Sequence, residues 1–195
     1  TECHTLRGLQ LLMAREKICT WMLWDAIRAL DYLASRPEID ATRLGVTGTS
    51  GGGNMTMLLS AFDNRLSFAN PSCFRNSHLR VLENEQTGDL EQHMPGMVGQ
   101  GLEMADFLIA AAPRRTLLLG QDQDFFDLRG LKMAFQETAK IYQYLGHQER
   151  LQIFIGKGKH GYDWEGCQKM AEFLGISGTH QDEIHVFKAS KLDCL

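Results

Sequence analysis

No apolar run in this chain comes near the roughly 20 residues that a helix needs to cross a bilayer. The longest, such as Phe107 to Pro113 and Leu117 to Leu119, are short, so no membrane-spanning helix is expected. Cysteines at metal or redox spacing are also missing. Cys3, Cys19, Cys73, Cys167 and Cys194 are scattered and odd in number, with no C-x-x-C pair, which excludes the usual zinc, iron-sulfur and dithiol signatures and reads as mostly buried thiols. Positive charge is not in excess: 20 Lys+Arg face 24 Asp+Glu for a formal charge of −4, which argues against a nucleic-acid partner. Thr1 to Arg7 hold neither a basic n-region nor an apolar h-region, so no signal peptide is expected there. Internal repeats and low-complexity segments are absent.

What is present fits one globular domain. The chain has 195 residues, 44% hydrophobic and 23% charged, enough to bury a sizeable core. Apolar residues recur at helical spacing from Leu9 to Ser35, which predicts two helices, the second stopped before Pro37. Arg43 to Thr47 reads as a buried strand and Gly52 to Ala61 as a helix opened by a Gly-rich turn. A strand over Leu66 to Pro71 follows, then a polar stretch from Cys73 to Gly101 with little regular pattern. A loop of that length in a compact domain is usually functional or mobile. A helix over Leu102 to Ala111, a strand at Thr116 to Leu119, a helix over Leu131 to Leu145, a strand at Leu151 to Ile155 and a helix over Asp163 to Leu174 complete the pattern. Strands alternating with helices predict right-handed crossovers and a parallel sheet covered on both faces. The pattern fades from about residue 176, so 1–175 reads as the domain and 176–195 as a tail or the start of a further segment.

The sharpest chemical signal is Gly48-Thr49-Ser50-Gly51-Gly52, a G-x-S-x-G between a predicted strand and a predicted helix. The bare pattern arises by chance in roughly 7 of 100 chains of this composition, so its placement carries the argument. A strand-turn-helix forces the serine into strained backbone that projects its hydroxyl, and side chains larger than hydrogen beside it would clash. Ser50 is then the nucleophile, and the Gly51 N–H, at the positive end of the helix, faces a developing oxyanion. The plainer reading is a Gly-rich turn with an N-capping serine.

A serine needs a base, and the base an acid, in the chain order Ser, Asp or Glu, His. His160, in the glycine-rich segment just after the last strand, is the candidate base, because open α/β sheets place their sites at the C-terminal ends of strands. His4, His93, His147, His180 and His185 lack that placement and read as surface residues. Asp122, Asp124 and Asp127 follow the preceding strand, and spacing does not choose among them. Asp124 has a local advantage in the neighbouring Phe125 and Phe126, which can bury it; turn and N-cap roles account for the others.

Two further patterns are weaker. Gly156, Gly158 and Gly161 spell the dinucleotide-binding G-x-G-x-x-G, at the wrong end of the sheet for that use. Asp89, Glu91 and His93, and the pair His180 and His185, lack the spacing of a metal site and read as solvated polar loop. No metal is expected.

Together these segments resemble the α/β-hydrolase superfamily, and within it the acetyl xylan esterase-like and dienelactone hydrolase-like branch. Trp24 to Leu33 with Arg36-Pro37-Glu38-Ile39-Asp40 resembles the helix and turn leading to its nucleophile strand. Gly45 to Gly53, Asp124-Phe125-Phe126 and His160-Gly161-Tyr162 resemble its nucleophile, acid and base segments, a likeness that favours Asp124. The resemblance implies a serine esterase of small acyl esters, acetyl groups on plant polysaccharide foremost, with no cofactor. Phe74, Glu91, Gln92 and Met94 are the candidate substrate contacts. The family's strands before the nucleophile strand, and the loop giving the second oxyanion donor, have no counterpart here, so the chain reads as the C-terminal half of a catalytic domain. An open strand edge would then invite pairing with another copy, a homo-oligomer. A non-catalytic hydrolase-like module and a prolyl-peptidase-type serine peptidase remain as alternatives.

Overall fold

The computed structural model describes residues 2–176 apart from Thr87 and His93. The expectations for His93, His180, His185, Cys194 and the tail therefore lie outside the described residues, as do those for the side chain of Cys3. Two helices, α1 (Glu2–Met13) and α2 (Ile18–Ser35), precede the first strand, and the chain leaves α2 at Arg36, ahead of the proline. Asp40 turns the chain next, its carboxylate accepting the Thr42 N–H at 3.0 Å.

Four strands follow: β1 (Gly45–Thr49), β2 (Phe68–Ser72), β3 (Arg115–Gln123) and β4 (Leu151–Lys159). They pair in parallel in the order β1-β2-β3-β4, so each crossover moves one step in the same direction. The crossovers are α3 (Gly51–Phe62), the short helices α4 (His78–Glu83) and α5 (Ala105–Ala110), and α6 (Leu128–Tyr144); α7 (Trp164–Leu174) follows β4. β3 and β4 run several residues beyond their apolar cores, which is why alternation read from hydrophobicity alone ends too early. The polar stretch after Cys73 is more regular than its composition suggests: Ser77 caps α4, accepting the Arg80 N–H at 3.4 Å.

Side chains alternate across the sheet as a two-residue period requires. Leu118 on β3, with no exposed surface, joins Met57 of α3, Leu108 of α5 and Leu131 of α6 in the main core. Its neighbours Leu117 and Leu119 point the other way and cluster with Phe173 of α7. A third cluster, of Leu30, Leu44, Leu59 and Leu66, fixes α2 to α3 and to the lead-in of β1. Truncating a fully buried leucine such as Leu118 to alanine costs about 2–5 kcal/mol. The carbonyls left over at the end of α3 need donors. Arg114 supplies one at Ser60, its guanidinium donating to that carbonyl and to those of Asp63 and Leu66 just beyond the helix. Among the described residues no helix is long and apolar enough to cross a membrane.

Candidate active site

At the C-terminal end of β1 the chain must reverse into α3 within one residue. Ser50 makes the reversal at φ 59°, ψ −123°, a conformation that L-residues rarely hold. The flanking glycines are required by space. A Cβ on Gly48 would stand 2.4 Å from the Gly52 carbonyl oxygen, and one on Gly53 would stand 2.5 Å from that of Ser72. The turn is held from β2: the Ser50 N–H donates to the carbonyls of Ser72 at 3.0 Å and Cys73 at 3.1 Å. The Asn54 carboxamide oxygen also accepts the Arg75 N–H at 3.0 Å, locking α3 to the segment after β2. Gly51 opens α3, so its N–H has no intrahelical acceptor and lies in the positive field of the helix.

The candidate acid and base come from the ends of β3 and β4. His160 Nδ1 meets Asp124 Oδ1 at 2.9 Å. The Asp124 side chain is only 2% exposed, and the same oxygen accepts the Phe126 N–H at 3.1 Å. That contact helps to fix the carboxylate's orientation toward His160. Phe125 stacks on the imidazole at 4.2 Å between ring centroids, and Phe126 lies 5.7 Å from it. The neighbouring aspartates do other work. Asp127 caps α6, accepting the Arg129 N–H at 2.8 Å, and the Arg129 guanidinium holds its carboxyl well below the usual range. Asp122 is exposed.

Two contacts tie the base loop to the nucleophile strand, and neither is evident from motif spacing. The Tyr162 hydroxyl lies 2.6 Å from Thr47 Oγ1 on β1. Cys73, at φ 43°, donates its thiol to the Gly161 carbonyl at 3.4 Å while its own carbonyl accepts the Ser50 N–H. Burial pushes the Cys73 thiol up, so it stays protonated and acts as a donor.

The remaining candidates are distributed differently. Phe74 lies in the main core at 1% exposure, and Met94 packs against that core. Gln92 is buried. Two of them lie against the turn at Ser50: a Cβ on Gly51 would stand 3.5 Å from Glu91 Oε1, and one on Gly53 would stand 2.9 Å from Phe74 Cβ. The solvated reading of this loop is corrected at Glu91, which is 3% exposed and meets His4 Nδ1 at 3.1 Å. His4 is accordingly not a free surface histidine. Sequence analysis also missed His78, buried at the start of α4, where no periodicity marks it.

A parallel sheet with helices on both faces, and a strained serine between a strand and a helix, define an α/β-hydrolase fold. Comparison with known proteins agrees. A family model for fungal glucuronyl esterases matches residues 13–105. The putative hydrolase YtaP of Bacillus subtilis (strain 168) is 29% identical over 84 residues, 43% of this chain and 27% of that protein. Among solved structures, the glucuronoyl esterase catalytic domain from Hypocrea jecorina superposes with a TM-score of 0.68 at 20% identity, over 82% of this chain and 52% of that one. A family 15 glucuronoyl esterase from Caldicellulosiruptor kristjansonii gives 0.64 at 22% identity, over 80% and 50%. Methylesterase BT1017 gives 0.65 at 23%, over 80% and 34%. The chain thus spans about half the length, or less, of the proteins it resembles.

Proposed function

We propose that the protein is a serine carboxylic-ester hydrolase acting on esters of plant cell-wall polysaccharide. The observations that carry this reading are the strained Ser50 following the C-terminal end of β1 and the Asp124–His160 pair following those of β3 and β4, the end of a parallel sheet where such sites form. Ser50 Oγ attacks the ester carbonyl as His160 Nε2 takes its proton, and Asp124 holds Nδ1–H and steadies the imidazolium. The tetrahedral oxyanion lies at the Gly51 N–H and the start of α3. His160 returns the proton to the leaving alcohol, and an acyl-Ser50 ester remains. Water then attacks with His160 as base, and the free acid leaves. The chemistry calls for no redox or electrophilic cofactor.

Two ester classes suit this site. Acetyl esters follow from the resemblance of the nucleophile, acid and base segments; esters of a uronic acid carboxyl group follow from the likeness to glucuronoyl esterases. Hydrolysis of p-nitrophenyl acetate and of benzyl glucuronate separates them, measured beside Ser50→Ala. Loss of activity in the variant by about 10³-fold or more is expected, on the magnitudes of triad removal. Undiminished turnover in Ser50→Ala, or none on either ester, overturns the reading.

A further inference from the structure

We propose that His4, Asp89 and Glu91 form a binding site for a divalent cation of the zinc class beside the first turn of α3. One nitrogen and two carboxylate oxygens of these residues lie within 4.8 Å of one another. Donors around one zinc ion at about 2.1 Å sit about 3.4 Å apart, so the three need to gather by only about an ångström. The second observation is Glu91 itself. It is 3% exposed, its Oε1 meets His4, and its Oε2, also buried, has no hydrogen-bond partner among the described residues. A buried carboxylate oxygen without a donor is costly and is normally satisfied by a proton, a water or a metal. Asp89 brings a second carboxylate to the same point, and a cation held between the two relieves their mutual repulsion.

The site is built rather than incidental. Helix α1 reaches the loop at Gly8, where a Cβ would stand 2.7 Å from Leu90 Cβ, and that close approach delivers His4 to Glu91. Mixed imidazole and carboxylate ligation suits zinc or manganese better than calcium, which prefers oxygen alone. His4 is 44% exposed, so the ion would keep an open position toward solvent. Position also gives the ion a role. Glu91 Oε1 lies 3.5 Å from where a side chain on Gly51 would begin, and a carboxylate there opposes any negative charge gathered at the Gly51 N–H. A bound cation neutralises it.

The test does not depend on esterase activity. Chelator-stripped protein is titrated with zinc chloride by calorimetry, beside His4→Ala, Glu91→Gln and His160→Ala. The last is included because Cys73, Asp124 and His160 also cluster within 4.8 Å. One equivalent bound, weakened at least tenfold in His4→Ala and Glu91→Gln and retained in His160→Ala, is expected. His4 is half-exposed on a helix, so its variant carries the test even where Glu91→Gln fails to fold. No saturable binding, binding unchanged in His4→Ala, or binding lost only in His160→Ala overturns the proposal.

Discussion

The hydroxyls of Tyr162 and Thr47 meet at 2.6 Å, joining the segment that carries His160 to the strand that leads into Ser50. Tyr162→Phe removes that tie while keeping the ring. A hydrogen bond of this kind contributes about 1 kcal/mol, so kcat is expected to fall about five- to tenfold while the melting temperature drops by only a few degrees. Steady-state kinetics beside a thermal melt check this, and unchanged kcat would remove Tyr162 from any positioning role.

Of the three neighbouring aspartates, Asp124 alone contacts His160. Asp124→Asn is expected to lower kcat by about 10⁴-fold with little change in KM, since the amide holds the wrong imidazole tautomer. Asp122→Asn should stay within about twofold of the parent. Asp127→Ala should keep activity and lose about 1 kcal/mol of stability, the usual worth of a helix cap. Equal activity losses in all three would refute the assignment.

Gly48 is required by close approach. In Gly48→Ala the added Cβ meets the Gly52 backbone at 2.4 Å, which no side-chain rotation relieves. A stability loss of about 1–3 kcal/mol is expected from overpacking, together with lost covalent labelling of Ser50 by a fluorophosphonate. Gly52→Ala, whose Cβ meets nothing within 4 Å outside its own helix, should label normally.

Burial lowers the pKa of His78 from the usual imidazole value; Glu103 opposes that shift and Arg75 adds to it. The unfolded chain takes up this proton near pH 6.5, whereas the folded protein resists it until lower pH. Stability owed to neutral His78 is therefore complete above about pH 6.5 and is lost as the pH falls through the folded value. Melting curves at pH 7 and pH 5 should show a smaller drop in His78→Gln than in the parent, and equal drops would contradict this.

Most of the sheet is legible in the sequence because β3 and β4 carry apolar runs, β1 and β2 are short segments bounded by glycine and turns, and α2, α6 and α7 carry strong helical periodicity. Ser50 and His160 are legible for a related reason: glycines are needed where backbone passes close to backbone, and they leave a spelling. Asp124 needed its aromatic neighbours as well as its position. The segment from Cys73 to Gly101 was not legible. Its order comes from single polar contacts between distant parts of the chain, such as the Glu103 carboxylate accepting the His78 N–H at 2.8 Å, and such contacts leave no period. The burial of Glu91 has the same origin. It depends on α1 arriving from 87 positions away.

Strand β4 lies at the far side of the sheet from β1, yet the chain leaving it reaches back past β3 and β2 to touch Thr47. The reach of His160 is therefore metered by backbone length between Lys159 and Tyr162, with Gly161 at φ 136° making the bend. A chain advances about 3.5 Å per residue, more than the tolerance of any proton transfer. Those few residues act as a ruler: their chemistry can drift so long as their number does not, and one residue gained or lost there would shift the proposed base away from the proposed nucleophile while leaving the domain folded.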